Sequence, residues 1–169
     1  GFPRLELMTT SREVQKTMAE AIQGMWKRHL GVHVDIRSCE WTAYKFAQNS
    51  MQYDFSSSSW SGDYLDPSSF LDLWSSASGN NNTGWSRPEY ERLLAESRAT
   101  GDQEKRMALL ARAEALMLSE SPVIPLYWAR RSYLKSPEVR GWHPLLLDNH
   151  LFEDISLGAP REQGKEAAP

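Results

Sequence analysis

At 169 residues the chain is long enough for one ordinary domain built on one hydrophobic core. A hydrophobic content of 40% and a charged content of 24% are those of a soluble globular protein. The formal charge of -3 gives no basis for binding nucleic acid or an anionic membrane surface. No stretch approaches the roughly 20 consecutive apolar residues of a membrane span, and the opening Gly1-Phe2-Pro3-Arg4 lacks the charged and apolar regions of a signal peptide. The sequence is therefore expected to be cytosolic or to begin after a targeting segment. The single Cys39 has no partner for an internal disulfide and no neighbouring activating group, so it reads as an ordinary thiol that leaves the compartment open.

Leu5 to Thr9 alternates apolar and polar residues, the pattern of a half-buried strand. Thr10 and Glu13 form a T-x-x-E capping box that predicts a helix from about Ser11. Val14, Met18, Ile22, Met25 and Trp26 recur on one face of that helix, and Gly31 is placed to end it after Leu30. Val32, Val34 and Ile36 then alternate inward as a second strand, completing a β-α-β unit of the right-handed kind. A short helix from about Thr42 to Asn49 leads to a third strand from Tyr53 to Ser58.

Asp66-Pro67 reads as an N-cap followed by proline at the first helical position, opening a helix through Trp74. Ser75 to Gly84 is a polar, low-complexity loop with no packing capacity of its own, expected to be mobile or to touch a ligand. Ser86-Arg87-Pro88-Glu89 predicts a second capping box, with Tyr90, Leu93, Leu94 and Ser97 on the buried face of the helix it starts. Thr100-Gly101-Asp102 ends that helix and caps the next, in which Met107, Leu110, Ala113 and Met117 face the core while Glu104, Arg106 and Arg112 face solvent. Pro122 to Trp128 predicts a strand with prolines at its margins, and Arg130 to Leu134 an extended continuation. From Trp142 to Leu157 apolar residues persist without helical period, and the tail beyond Gly158 has the composition of a disordered segment.

One stretch combines the features of a ligand site. Ser56 to Ser59 supply main chain that a ligand can approach closely, Trp60 a broad apolar face, and Asp63 a fixed negative charge for a cation. Asp63 also fits a simple turn-capping role, and Trp60, one of seven tryptophans, fits core packing. Asp66 is accounted for as a helix cap. His29 and His33 stand at i, i+4, but Gly31 between them breaks the helix that would bring them together, so no metal site is expected. No cofactor is expected either.

Several short motifs, in order and spacing, resemble the extracellular solute-binding proteins of family 5, the receptors of oligopeptide and dipeptide ABC importers. They are Gly24-Met25-Trp26, Gly31-Val32-His33-Val34, Tyr53-Asp54, Trp60-Ser61-Gly62-Asp63-Tyr64 and Asp66-Pro67, followed by Asn81-Thr83-Gly84-Trp85, Pro88 with Tyr90, Ala111 to Leu118 and Pro122 to Tyr127. The resemblance implies an α/β fold: a mixed β-sheet flanked by helices, a periplasmic-binding-protein type II-like lobe with an extended C-terminal segment. It also implies a two-lobed receptor that closes over its ligand and delivers it to a membrane permease.

Members are much longer than this chain. The resemblance therefore assigns residues 1–141 to one ligand-binding lobe, 142–158 to an extended segment crossing to a second, missing N-terminal lobe, and 159–169 to a disordered tail. It implies a periplasmic or extracellular location, with or without a membrane anchor on an absent N-terminus.

In the family an aspartate at the position of Asp63 holds the peptide's α-ammonium group, and main chain around the tryptophan pairs with the peptide backbone like an added strand. The implied ligand-binding residues here are Ser58, Ser59, Trp60, Ser61 and Asp63. Where some oligopeptide-binding relatives place an arginine and a histidine near the ligand's carboxylate end, this chain has Ser57 and Gln15. That leaves open a ligand held by its amino end alone, or a non-peptide solute.

The residues themselves admit two other classes. Asp54, Asp63, Asp66 and Asp72 supply carboxylates for a glycosidase, and the serine run supplies hydroxyls for a nucleophile. Yet no G-x-S-x-G, H-E-x-x-H, Walker or Rossmann motif is present. A lobe turned protein-interaction module would instead self-associate through its unpaired face and bind no small ligand.

Overall fold

The computed structural model describes residues 3–130, 132–145, 147 and 150–158. The chain divides into two compact units, one of residues 1–62 with 66–124, the other of 63–65 with the described part of 125–169. The expected disordered tail, 159–169, lies outside the described residues.

The first unit begins with β1 (Leu5–Thr10), α1 (Glu13–Leu30), β2 (Val34–Cys39), α2 (Trp41–Asn49) and the short β3 (Phe55–Ser56). Both β2 and β3 pair parallel to β1, in the order β2-β1-β3. Consecutive residues of a strand point to opposite faces, and β1 is buried on both: Leu7 packs with Ala19, Ile22 and Val34 under α1, Met8 with Tyr44 and Ala47 under α2. The expected β-α-β unit is thus present. Gly31, at φ 68°, ends α1 in the left-handed conformation that glycine adopts without cost. It separates His29 from His33.

The expected capping box is absent. Thr10 belongs to β1, paired with Cys39, and α1 starts after Arg12, whose side chain makes no capping hydrogen bond. The strand ladder carries on past Thr10, with Ser11 N donating to Cys39 O at 2.9 Å, so the helix starts two residues later than the box requires. At α2 the cap is Glu40, whose carboxylate accepts from Thr42 N at 2.8 Å.

The remainder of the first unit is helical: α3 (Ser68–Leu71) with a 3-10 turn Asp72–Trp74, α4 (Pro88–Ala99) and α5 (Gln103–Glu120). Leu71, Tyr90, Leu93, Leu94, Leu109, Leu110, Ala113 and Met117 form its core, so the predicted α4 face is the buried one. Asp102 caps α5 through Lys105 N, as expected. Ser86 does not cap α4. The helix begins after Arg87 with Pro88 in its first turn, where a missing amide hydrogen costs nothing. Met107, expected inside, is 41% exposed, and Leu109 takes its place in the core.

Arg106, expected in solvent, instead makes a bidentate pair with Asp66, both bonds 2.7 Å. Asp66 Oδ1 also accepts from Ser68 N and Ser68 Oγ at 2.9 and 2.6 Å, which is the capping role the sequence predicts. Its carboxyl is held far below the usual range, first by Arg106 and then by Ser68, against the opposing effect of burial.

The second unit contains the antiparallel pair β4 (Val139–Arg140) and β5 (Ser156–Leu157), with Trp142 against Tyr133 at 4.4 Å and His150 at 4.9 Å between ring centroids. Gly141, at φ 74°, is required here, because a Cβ would overlap the Asp154 carbonyl oxygen. No strand forms at Pro122 to Trp128, which runs irregular. Pro122 and Pro125 remove two ladder donors, and no described strand lies alongside to pair with it. No helix among the described residues is long and apolar enough to cross a membrane.

The Asp66 carboxylate stabilises the native state only while ionised. Its folded pKa is depressed, so its contribution is complete above the ordinary aspartate range near 4 and is lost as pH falls below it. Asp66→Asn is expected to destabilise the protein by about 1.5–3 kcal/mol at pH 7. The difference from the parent should shrink steadily between pH 5 and pH 2 in about the acid range where carboxylates titrate, measured by urea unfolding at each pH.

Candidate functional site

The connections of the sheet mark the position at which a ligand is expected. From β1 the chain crosses one face through α1 to β2, then returns across the other face through α2 to β3 on the far side of β1. In open α/β sheets ligands bind outside the carboxyl ends of the strands where the order reverses. Here that point lies between the ends of β1 and β3, at Thr10 and Ser56. The serine run starts there.

Its first half is anchored. Ser57 N donates to Met8 O at 2.9 Å, carrying the β3 pairing one residue further. The hydroxyl of buried Tyr44 donates to Ser57 O at 2.5 Å and lies 3.0 Å from Ser56 Oγ. From the opposite face Ser57 Oγ donates to Gln15 Oε1 of α1 at 3.3 Å. Both covering helices therefore hold the start of the run.

Its second half is open. Ser58, Ser59 and Ser61 are exposed, and their main-chain groups make no hydrogen bond to the described residues. Trp60 is fixed by its indole Nε1, which donates to Ser69 O at 3.1 Å, while 41% of the residue stays exposed. Gly62 sits where a Cβ would come within 3.0 Å of the Phe70 ring, so this stretch passes close to α3. The structure thus brings Ser58, Ser59, Trp60 and Ser61 onto one exposed stretch beyond the β3 edge. Asp63 is exposed and belongs with Tyr64 and Leu65 to the second unit.

The loop after the 3-10 turn, expected to be mobile or ligand-contacting, is tied down from within. Asn81 Nδ2 donates to the carbonyls of Trp74, Ser75 and Trp85 at 3.1, 3.2 and 2.9 Å, and Asn81 Oδ1 accepts from Thr83 N and Oγ1. Tyr53 OH, its pKa raised chiefly by burial, donates to Asn82 O at 2.5 Å. Asparagine followed two residues later by threonine is an Asx-turn signal, the one cue to this hub available in the sequence. The Arg106 contact to Asp66 had no local cue, because 40 residues separate the partners.

Comparison with known proteins gives the family and the fold. Bacterial extracellular solute-binding proteins, family 5 Middle, match residues 2–82. The oligopeptide-binding protein OppA of Bacillus subtilis is 35% identical over 141 residues, covering 83% of this chain and 26% of that protein. The chain belongs to family 5 of the extracellular solute-binding proteins. A second relative, the probable deoxycholate-binding periplasmic protein YgiS of Escherichia coli, is 33% identical over 82% of this chain and 26% of its own length.

Among solved structures, a periplasmic oligopeptide-binding protein of Borrelia burgdorferi superposes with a TM-score of 0.84 at 31% identity, over 93% of this chain and 32% of that one. The fold is accordingly that of a periplasmic-binding-protein type II lobe. The chain spans about a quarter of the length of the curated relatives it matches. These relatives are named as binding proteins, not as enzymes, and the family is extracellular or periplasmic.

Truncating the Asn81 hub tests the loop assignment. Asn81→Ala leaves three carbonyls without their donor and should cost about 1–3 kcal/mol. Amide hydrogen exchange across residues 75–85 should accelerate while α4 and α5 stay protected.

Proposed function

We propose that this chain contributes a peptide-binding wall to the solute receptor of an ABC importer, which hands its ligand to a membrane permease. The observation that carries this reading is the open main chain of Ser58 to Ser61, beyond an anchored strand end at the point where the sheet order reverses. Unpaired amides and carbonyls of this kind accept a peptide backbone as an added strand and read no side chains. Trp60 supplies the apolar flank. Asp63, three residues on in sequence, takes the peptide's α-ammonium group. In a closed cleft that charge-assisted bond is about twice as strong as a neutral one, whereas an exposed pair contributes only ~0–1 kcal/mol.

The resemblance supports residues 142–158 as the segment that crosses to the receptor's other lobe. Closure against that lobe is what removes water from the Asp63 carboxylate.

A second reading is favoured by one relative. Because YgiS is named for deoxycholate, a non-peptide amphiphile is the alternative ligand class. Native mass spectrometry of the complete natural protein carrying this sequence, followed by denaturing release, separates the two: released peptides support the first reading, released non-peptide solute the second. Ligand-free oligomers would indicate an interaction module instead.

Asp63→Asn in that protein is expected to weaken peptide binding by at least about tenfold, or ~1.4 kcal/mol. Calorimetric titration checks it, and unchanged affinity removes Asp63 from the site.

A further inference from the structure

The amino ends of the strands, opposite the proposed peptide wall, carry a cationic surface that peptide binding leaves unused. There α1 ends at Leu30, Gly31 turns the chain, and β2 begins at Val34. Lys27, Arg28, His29 and His33 are all exposed, and none of them enters an ion pair or a side-chain hydrogen bond among the described residues. The acids at this end are already engaged: Asp35 pairs with Arg4, Glu6 with Arg37, and Asp54 accepts from Glu6 N at 2.9 Å. Glu20, the nearest acid before them on α1, lies two turns back, about 10 Å along the axis. The net charge of -3 thus averages over an uneven surface.

Basic residues in a last turn complement the helix dipole, which by itself accounts for Lys27, Arg28 and His29. It does not account for Leu30. Four residues after Trp26, Leu30 shares the side of α1 that packs on the sheet, yet it lies outside the core cluster and is 67% exposed. The turn that presents it is fixed: Gly31 N and Val32 N both donate to Trp26 O, and Gln23 Nε2 donates to Val34 O at 2.6 Å. An open hollow of about 500 Å³ lies beside Gly31, lined also by Pro3, Arg4, His33 and Asp35.

We infer that this end of α1 is a docking surface for an anionic lipid bilayer, with Leu30 entering the headgroup region and Lys27, Arg28 and His33 meeting lipid phosphates around it. Apolar burial and electrostatic attraction add in interfacial binding, and each cation near an anionic surface contributes separately. The cations and the leucine are contiguous rather than arranged about a groove, so they match a charged apolar boundary and not a shaped side chain. The hollow gives a headgroup room beside Arg4 and His33. The six residues of β1, about 20 Å, separate this surface from the strand ends where the peptide wall starts, so docking keeps that wall clear of lipid. The membrane setting rests on the receptor function proposed above, whichever solute is bound.

The test sediments the complete natural protein carrying this sequence with vesicles of phosphatidylcholine alone and of phosphatidylcholine with about one-third phosphatidylglycerol. Comparing the two cancels any anchor elsewhere in that protein. The parent is expected to prefer the anionic vesicles at least about tenfold at low salt, and to lose the preference near 1 M salt, where the screening length is ~3 Å. Lys27→Gln combined with Arg28→Gln should remove most of the preference, and Leu30→Gln should weaken anionic binding about threefold, both with unchanged melting temperature. Lys105→Gln combined with Arg112→Gln makes the same charge change on α5 and should leave the preference within about twofold.

Equal sedimentation of the parent with both vesicle types overturns the inference. So does an α5 variant that loses as much preference as the α1 variant, which would assign the attraction to overall charge, or an unchanged Leu30→Gln. If the α1 variant impairs solute uptake by cells while vesicle binding is absent, the surface belongs to an acidic protein partner and the lipid reading falls. Peptide binding is titrated separately, and its absence removes the proposed ligand class without altering the vesicle result.

Discussion

Burial of β1 on both faces is the constraint from which the rest follows. Leu7 and Met8 are 4% and 0% exposed, and neighbours in a strand reach this state only if separate elements cover the two sides of the sheet. The chain between Thr10 and Phe55 satisfies that demand with one helix per face. Once α1 and α2 lie on opposite faces and β2 and β3 on opposite sides of β1, the strand order reverses between β1 and β3. The point of reversal is a consequence of covering one strand twice. The residues that hold the chain there, Tyr44 from one face and Gln15 from the other, come from the same two helices.

The helical half of the first unit solves a different problem, how to present α3 and the loop after it without a sheet beneath them. Tyr90, fully buried, donates its hydroxyl to Leu71 O at 2.7 Å, and burial pushes its pKa well above the ordinary tyrosine value. Asp66 ties the start of α3 to α5 through Arg106, while Asn81 gathers the carbonyls at the loop's two ends. Short polar contacts thus do at this edge what apolar packing does in the sheet. Since Trp60 is fixed to Ser69 O within α3, the exposed wall inherits its position from these contacts.

Much of this was legible in the chain itself. Periodicity placed α1, α2, α4 and α5 and the first two strands, because a helix or strand that buries one face writes that face into its spacing. The motif around Trp60 singled out a stretch that the fold leaves exposed, because small polar residues beside a large aromatic pack poorly on their own. The misreadings share a cause. Thr10 and Ser86 carry good capping chemistry, and each was outcompeted by a partner remote in sequence or by proline placement. Pro122 to Trp128 has strand composition, but a strand needs a neighbour to pair with, and composition does not supply one.

By itself the sequence determined which segments are helical, which faces are apolar, and which family the chain resembles, since these depend on local spacing and on short motifs. Tertiary structure alone decided that Ser56 and Ser57 are anchored while Ser58 to Ser61 are open. It also decided that Arg106 belongs to Asp66, that Asn81 organises its loop, and that Ser57 meets Gln15 across 42 residues. Each of these is a hydrogen bond whose partners are brought together only when the sheet and helices pack. Hydrogen-bonding capacity is a property of a residue, but a hydrogen bond requires about 3 Å between partners, and only the fold sets that distance.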